Sequence, residues 1–360
     1  FLSFTFGSFE PLMRFGIVTT LSIFICLFII VTSYALVIDL NLISRVKEKL
    51  TIRTLEFIFK VFDHNKKIVV SFFLFLSVIG IVSINIDNFL TDEINPKSEL
   101  YKEINYFEKN FGGIKPLSFS LVNSDKSSTG DFTEFLASKK TTTDIVFERK
   151  DTTLVKARIN DIGADESKKL YNAINDFTDN YKYDFSIGGV GYLFDQISNE
   201  LTYEVLIGLL LAIVLIGFIF VVINDFNLRY LFVSLIPNLV PMLSCLGVLS
   251  FFGFYLSLSN AFIFAIVFGL IVDDSIHIIS AYSINRKSKL SIAQSIKYCY
   301  DNTFHAVIKT TLIIIVTLIP LLFSEFKSIS QLAYITMISA LFALIFDLLI
   351  LPVLLRKFIK

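Results

Sequence analysis

Residues 258–282 read LSNAFIFAIVFGLIVDDSIHIISAY, in which fifteen uncharged residues lead into two adjacent aspartates, Asp273 and Asp274. A helix needs about 20 mostly apolar residues to cross the roughly 30 Å of bilayer hydrocarbon, and this segment has that length and composition. At a rise of about 1.5 Å per residue, the aspartates lie roughly 22 Å from the outer end of the helix, slightly to the cytoplasmic side of the midplane. The segment therefore predicts a membrane-spanning helix with an acidic pair inside the hydrocarbon.

The composition of the whole chain agrees with a membrane protein. Of its 360 residues, 54% are hydrophobic and 18% are charged, and the mean hydropathy is +0.70. Soluble domains carry about 25% charged residues, so the chain cannot build a polar shell around a globule of this size. Basic and acidic residues number 32 each, a balance that gives no support to nucleic-acid binding.

The residues that usually carry metal or redox chemistry are few and scattered. They are Cys26, Cys245, Cys299, His64, His277 and His305. No short spacing joins them, so we expect no disulfide framework, no zinc site and no cofactor. Neither histidine nor cysteine occurs between residues 87 and 200, and the apolar blocks contain no His-Glu zinc motif, Ser–Lys dyad or Gly-Asp protease pattern. We do not expect an enzyme.

The apolar blocks predict a polytopic α-helical membrane protein with one extramembrane domain. Seven blocks are long enough to span a bilayer: 12–38, 67–86, 202–223, 230–252, 259–283, 304–323 and 329–355. Six regions follow: the end of a first bundle (1–39), a linker (40–66), a single span (67–86), an outer domain (87–200), a five-helix bundle with the aspartate pair (201–355) and a tail (356–360). In the linker, apolar side chains recur at helical spacing among Lys, Arg and Glu, which predicts an amphipathic helix on the membrane surface.

Basic residues in the connections predict the orientation. They concentrate in the linker, in the segments around Arg229 and Arg286, and in the tail, and these segments alternate along the chain. Cytoplasmic loops of membrane proteins are enriched in Lys and Arg. We therefore expect these segments and the C-terminus to face the cytoplasm in a cell inner membrane, and residues 87–200 to lie outside the cytoplasm.

The outer domain alternates helix and strand signals. We expect helices at 96–109 and 165–181, strands at 117–122, 153–159 and 185–187, and a loop with a short helix at 124–143. This order favours a small α+β domain of the split βαβ kind.

An internal repeat relates the two ends of the chain. A shift of 317 positions places FGSFEPLMRFGIVTT (6–20) over FSEFKSISQLAYITM (323–337), with identities that include Phe6/Phe323 and Thr19/Thr336. Each copy lies where an outer connection enters the last span of a bundle. Two equivalent halves are typical of many transporters, and we expect this chain to be the C-terminal portion of a longer protein.

The acidic pair predicts proton binding. An aspartate at this depth costs about 3 kcal/mol even on lenient insertion scales. Burial and a neighbouring like charge both favour the protonated form of a carboxyl, so we interpret Asp273 and Asp274 as proton-binding residues. The alternative is that they only hydrogen-bond between helices, or reach the interface in a shifted span.

Side chains near the pair are candidate partners. His277 lies four residues after Asp273 on the same helix face, and it either relays protons or faces cytoplasmic water. Lys309 either reaches Asp274 from the next span or snorkels towards the cytoplasm. Thr310 and Thr311 place hydroxyls either in a proton path or on helix carbonyls.

Two further residues complete the candidate set. Gly269, four residues before Asp273, would let a neighbouring helix approach closely. We interpret Asp347, near the cytoplasmic end of the last span, as hydrated at the interface rather than as part of a translocation path.

The same residues resemble a known family. GLIVDD (269–274) followed by SIH is similar to the Gly-x-x-x-Asp signature of the resistance–nodulation–division (RND) superfamily, and most closely to its MMPL-like hydrophobe exporters, which share a sterol-sensing-like core with Patched and Dispatched. Further stretches that resemble this branch are IPNLVP (236–241), LLFSEFKSISQLA (321–333), FDLLILPVLL (346–355), FEKNFGGIKPLSFSLV (107–122) and GVGYLFDQISNELTYEVLIG (189–208). The chain departs from the branch in its short outer domain and in the absence of a first half.

The resemblance implies an RND-like helical bundle with a porter-like outer domain, and proton-motive export of hydrophobic or lipid-like substrates. By this resemblance, Asp273 and Asp274 are the expected proton-binding residues, and His277 occupies a position where members of this branch often have a histidine. The partners implied are the substrate, membrane lipids, the N-terminal half of the protein and, as an open alternative, a second copy of the chain. Two other functions stay open: a membrane lipid or sterol sensor, and an accessory of protein secretion built on the same core.

Overall fold

The computed structural model describes residues 1–6, 10–39, 66–122, 126–149, 152–181 and 184–359. The helices are α1 (Glu10–Asp39), α2 (Lys66–Val82), α3 (Glu99–Phe111), α4 (Lys126–Ser138), α5 (Ala164–Tyr181), α6 (Val190–Ile223), α7 (Arg229–Ser250), α8 (Leu258–Lys287), α9 (Ile292–Tyr298), α10 (Phe304–Leu318), α11 (Lys327–Leu349) and α12 (Leu351–Phe358). The strands are β1 (Lys115–Val122), β2 (Thr142–Arg149), β3 (Thr152–Ile159) and β4 (Asp184–Gly188). Within these residues, six helical segments are long and apolar enough to cross a membrane. The predicted fold class, a polytopic helical protein with one small α+β domain, is confirmed.

Helix α2 corresponds to the expected span at 67–86. It has 17 residues, at the lower end of the lengths that cross a bilayer. It packs against α7 through small residues, because Ser77 Oγ lies 3.0 Å from the Val240 carbonyl oxygen and Ser244 Oγ lies 2.9 Å from that of Phe73. Small side chains and interhelical hydrogen bonds replace the hydrophobic effect in membrane helix packing.

Helix α8 is the centre of the bundle. It begins at the N-cap Ser257, whose hydroxyl accepts a hydrogen bond from the backbone N–H of Asn260, and it ends with Arg286 and Lys287. Its buried apolar residues between Ile263 and Val272 pack in one cluster with residues of α6, α7 and α11, and Ile278, Ile279 and Tyr282 pack in a second cluster. This packing fixes the rotation of α8 and therefore the direction in which its polar side chains point.

The outer domain is a four-stranded antiparallel sheet with strand order β2-β3-β1-β4. The order of elements, βαββαβ, is the predicted split βαβ arrangement. Residues of β3 alternate between buried and exposed positions, as a half-buried strand requires. Phe119 and Val155 of the sheet meet Phe132 of α4 and Ile174 of α5 in one fully buried core.

The region expected as a loop with a short helix at 124–143 is more structured than predicted. It contains α4, a helix of 13 residues, and the beginning of β2. The sequence prediction missed these elements because Ser, Thr and Lys dominate the region. Helix α4 buries mainly Phe132 and Leu136, and β2 is an edge strand that pairs only with β3.

The last span, predicted as one helix at 329–355, is broken into α11 and α12. Pro352 lies in the first turn of α12, and a proline has no N–H with which to bond the carbonyl four residues earlier. That carbonyl belongs to Leu348, and it accepts a hydrogen bond of 3.3 Å from the hydroxyl of Tyr300 instead.

The internal repeat agrees with the local structure. A short 3-10 helix spans Leu2–Phe6 in the first copy and Ile319–Phe323 in the second, and the following helices begin at Glu10 and Lys327. All these bounds are 317 positions apart. The predicted linker helix lies almost wholly outside the described residues.

The contact between α2 and α7 gives a first testable prediction. A Cβ on Gly247 would lie 2.0 Å from the backbone oxygen of Leu76, so Gly247→Ala should force the helices apart at a cost of about 1–3 kcal/mol. Circular dichroism of the purified protein in detergent should show a lower melting temperature.

Gly130→Ala in α4 is the matched control, because apart from the neighbouring backbone of its own helix no atom lies within 4 Å of the position of its Cβ. It should leave stability unchanged or raise it by up to about 1 kcal/mol, the difference in helix propensity. Equal effects of the two substitutions would contradict the described packing.

Candidate functional site

Asp274 points from α8 into the bundle. Its side chain is buried, with 8% of its surface exposed. The hydroxyls of Thr310 and Thr311 on α10 each lie 3.2 Å from one of its two carboxylate oxygens. The predicted candidates Asp274, Thr310 and Thr311 are therefore brought together at one contact between two helices.

Asp273 lies on a different, exposed face of α8. Successive residues of an α-helix are rotated by about 100°, so two adjacent aspartates cannot both face the same neighbour. The side chains of Asp273 and His277 are 66% and 64% exposed, and Asp273 Oδ1 lies 3.6 Å from His277 Nε2. The acidic pair is thus divided between an interior group and a surface group.

Gly269 and Lys309 are also exposed. No atom lies within 4 Å of the position that a Cβ on Gly269 would take, so no described helix makes the close approach expected there. The hydrogen bonds described for Asp274 come from the threonines that follow Lys309.

Asp347 of α11 is a buried group that the sequence analysis placed wrongly. We expected it to be hydrated at the interface, yet its side chain has no exposed surface. Its Oδ1 lies 2.8 Å from Ser275 Oγ, which also lies 3.1 Å from Asn238 Oδ1. Thr336 and Ser339 share its face of α11 and are buried too. This helical spacing of polar residues is the signal that could have found it.

Asp274 and Asp347 are therefore two buried carboxyl groups on different helices of the bundle. Asp274 is in contact with α10, while Asp347 joins α11 to α8 and α7 through Ser275 and Asn238. Carboxyls in a low-dielectric interior favour the neutral form, so the chemistry available to this cluster is the binding and release of protons. Among the described residues, no group of three or more His, Cys, Asp and Glu side chains could hold a metal ion.

The segment between α2 and α3 connects the bundle to the outer domain. Asn88 donates a hydrogen bond of 2.8 Å to Asn199 on α6 and accepts one of 2.7 Å from the backbone N–H of Leu258 on α8. Asp92 binds the hydroxyl of Tyr255 and forms an ion pair of 3.2 Å with Lys327 at the start of α11. Burial and the bond to Asp92 raise the pKa of Tyr255, which keeps its hydroxyl protonated.

A buried ionic cluster anchors α6 in the outer domain. Lys115 of β1 has no exposed surface, and its Nζ lies 2.8 Å from Asp195 of α6 and 3.1 Å from Asp161. The hydroxyl of Tyr171 donates to the second oxygen of Asp195 at 2.6 Å, and burial together with this bond raises the pKa of Tyr171 well above its usual range. Because α6 continues from Asp195 into the membrane, the cluster connects the outer domain directly to a helix of the bundle.

A known protein family matches the chain from within β1 to within α12, which includes most of the outer domain and most of the bundle. The sequence profile described as the MMPL family matches residues 118–357. A search of curated proteins finds no match to the chain.

The Lys115 cluster gives a second prediction. Lys115→Met should destabilise the outer domain by about 3–5 kcal/mol, because removing one partner leaves buried carboxylates without a counter-charge. Hydrogen–deuterium exchange of the β1 amides should accelerate accordingly.

Arg158→Met is the matched control. Arg158 also pairs with an aspartate, Asp144, but both side chains are about 30% exposed, and such pairs contribute about 1 kcal/mol or less. If Lys115→Met changed exchange no more than Arg158→Met, the buried cluster would not anchor α6.

Proposed function

Because this chain belongs to the MMPL family, we propose that it is a secondary transporter driven by the proton-motive force, which exports hydrophobic or lipid-like substrates. The family consists of RND-type membrane transporters of hydrophobic substrates. The observation that carries the proposal is the position of Asp274, buried in the bundle between the hydroxyls of Thr310 and Thr311.

The threonine contacts supply a charge-dependent switch. Each threonine hydroxyl has one proton, and besides Asp274 it also lies within 2.8–2.9 Å of the backbone oxygen of Val307. An ionised Asp274 attracts both protons, whereas a neutral Asp274 leaves them to Val307. Protonation of one carboxyl therefore changes the bonding between α8 and α10.

This switch would let a proton bias two conformations of the bundle. A charge that crosses the membrane potential supplies about 2.3 kcal/mol per 100 mV, enough to shift an equilibrium between states that differ by a few kcal/mol. Two helices lead from the bundle into the outer domain, namely α6 through the Lys115 cluster and α2 through Asn88. Movement of α8 against α10 would reach the outer domain along this route.

An exposed stripe along α8 is evidence that a second helical bundle is a partner of this one. Gly269, Asp273 and His277 lie on one face, and charged side chains at this depth rarely face lipid. In the proposal, another bundle packs on this stripe, with Asp273 as a second proton-binding group and His277 as its relay. That bundle is the N-terminal half of the protein or, alternatively, part of a second copy.

The ends of the helices support the expected orientation in a cell inner membrane. Two contacts hold the last residues of α12 and beyond at one end of the bundle. Arg229, at the start of α7, contacts the backbone oxygen of Phe358. Tyr282, near the end of α8, donates a hydrogen bond to the backbone oxygen of Ile359. Arg286, Lys287 and Arg356 lie at helix ends on the same side. Since cytoplasmic loops are enriched in Lys and Arg, this side faces the cytoplasm in the proposal, and the outer domain lies outside the cytoplasm.

The proposal predicts that Asp274→Asn lowers proton-driven export without loss of the folded protein. An amide can replace the hydrogen bonds of the carboxyl but cannot release a proton. Coupling free energies of about 1–3 kcal/mol correspond to about 5–150-fold, and we expect a loss of export in this range. The measurement is mass spectrometry of lipids outside the cytoplasmic membrane in cells that express the full-length protein.

Asp301→Asn is the control. Asp301 is exposed in the segment before α10, so its substitution should leave export unchanged. A protonophore added to wild-type cells should reproduce the effect of Asp274→Asn. Lipid distributions that respond neither to Asp274→Asn nor to the protonophore would refute the transporter and favour a sensor.

A further inference from the structure

Asp347 is fully buried but incompletely hydrogen-bonded. Its Oδ1 contacts the hydroxyl of Ser275 at 2.8 Å, while its Oδ2 has no hydrogen-bond partner among the described residues. An ionised carboxylate has about four acceptor sites, and burying one with so few donors is costly. The surroundings therefore do not suit a charged carboxylate.

The protons around Ser275 can be counted. Its hydroxyl oxygen lies near two oxygens, Asp347 Oδ1 at 2.8 Å and Asn238 Oδ1 at 3.1 Å, but the hydroxyl has one proton. The amide of Asn238 is fixed because its Nδ2 donates to the backbone oxygen of Ser234 at 2.6 Å. With an ionised Asp347, one of the two contacts to Ser275 would have no proton between its oxygens.

A proton on Asp347 completes this set of bonds. Asp347 then donates to Ser275, and Ser275 donates to Asn238, so a single directed chain joins α11, α8 and α7. The free Oδ2 becomes the oxygen of a neutral acid, whose burial without a partner costs far less than that of a carboxylate.

We propose that Asp347 holds a proton at neutral pH in this arrangement, and that Asp274 and Asp347 form the buried carboxyl pair of the proton site. The inference rests on the proposed function and deepens it. Asp273, the sequence neighbour of Asp274, lies on a different face of α8, so the interior partner of Asp274 belongs to α11.

The charged groups around the pair are consistent with one retained proton. Asp274 precedes Ser275 on α8, and Ser275 is the group that contacts Asp347, while α7 contributes the uncharged Asn238. Asp273 and His277 lie on the exposed face of α8, 3.6 Å apart. Ionising a second carboxyl in the same low-dielectric interior is unfavourable, so in the proposal Asp347 keeps its proton while Asp274 releases its own. Ionisation of Asp274 is thereby coupled to the position of α11.

Infrared spectroscopy of the full-length protein in lipid bilayers, with ¹³C-labelled aspartate, tests the proposal. At neutral pH the wild-type protein should show the carbonyl stretch of a protonated carboxylic acid, which shifts slowly in D₂O because the group is buried. Asp347→Asn should remove this band, whereas Asp273→Asn and Asp274→Asn should leave it.

A functional readout separates a proton site from a structural hydrogen bond. The amide of Asp347→Asn can still donate to Ser275, so the variant should fold, yet it should lower export about 5–150-fold and change the pH at which Asp274 ionises. Asp301→Asn again serves as the control that should change neither.

The outcomes distinguish a failure of the inference about Asp347 from a failure of the proposed function. A wild-type protein without the band, or a band that persists in Asp347→Asn, overturns the inference even where Asp274→Asn lowers export. Normal export by Asp347→Asn, with no change in the pH at which Asp274 ionises, overturns the inference as well. Normal export by Asp274→Asn, with the band still lost in Asp347→Asn, would instead refute the proposed function and leave the proton on Asp347 standing.

Discussion

Dehydration of carboxyl groups is the constraint on which the rest of this structure depends. A carboxyl within a membrane helix must be neutral, hydrogen-bonded or covered by protein, because water is not there to solvate its charge. Each intramembrane aspartate of α8 and α11 meets this requirement differently. Asp274 has threonine hydroxyls, Asp347 has a hydrogen-bonded chain to Asn238, and Asp273 lies exposed beside His277, which is why a covering bundle enters the proposal.

The same constraint explains how a small chemical change could move large elements. Neutralising Asp274 alters only the partners of two threonine protons, but those threonines belong to α10 and the carboxyl to α8. Helix α6 packs against α8 and continues without a break into the outer domain, where Lys115 holds it by buried ion pairs. Helix α6 therefore provides a continuous connection by which a rearrangement inside the membrane would reach the outer domain.

Much of this arrangement could be predicted from the sequence, and the failures have physical causes. Apolar length identified the spans, and the turn and strand signals gave the split βαβ domain, because both depend on local patterns. Helix geometry directs Asp273 and Asp274 to different faces of α8, but only the packing of α8 shows that Asp274 is the buried one. Asp347 was misplaced because its distance from the end of an apolar block says nothing about burial. The break before α12 depends on Pro352, a local signal that the length of the block obscured.

The central claim is that Asp274 binds and releases a proton within the membrane. Solid-state NMR of the full-length protein in bilayers, with the aspartate carboxyl carbons labelled and Asp274 assigned by its substitution, reports the protonation state of this group directly. The account predicts that the Asp274 signal changes between its protonated and ionised positions within the physiological pH range. A signal that stays at the ionised position throughout that range, in contact with water, would contradict it.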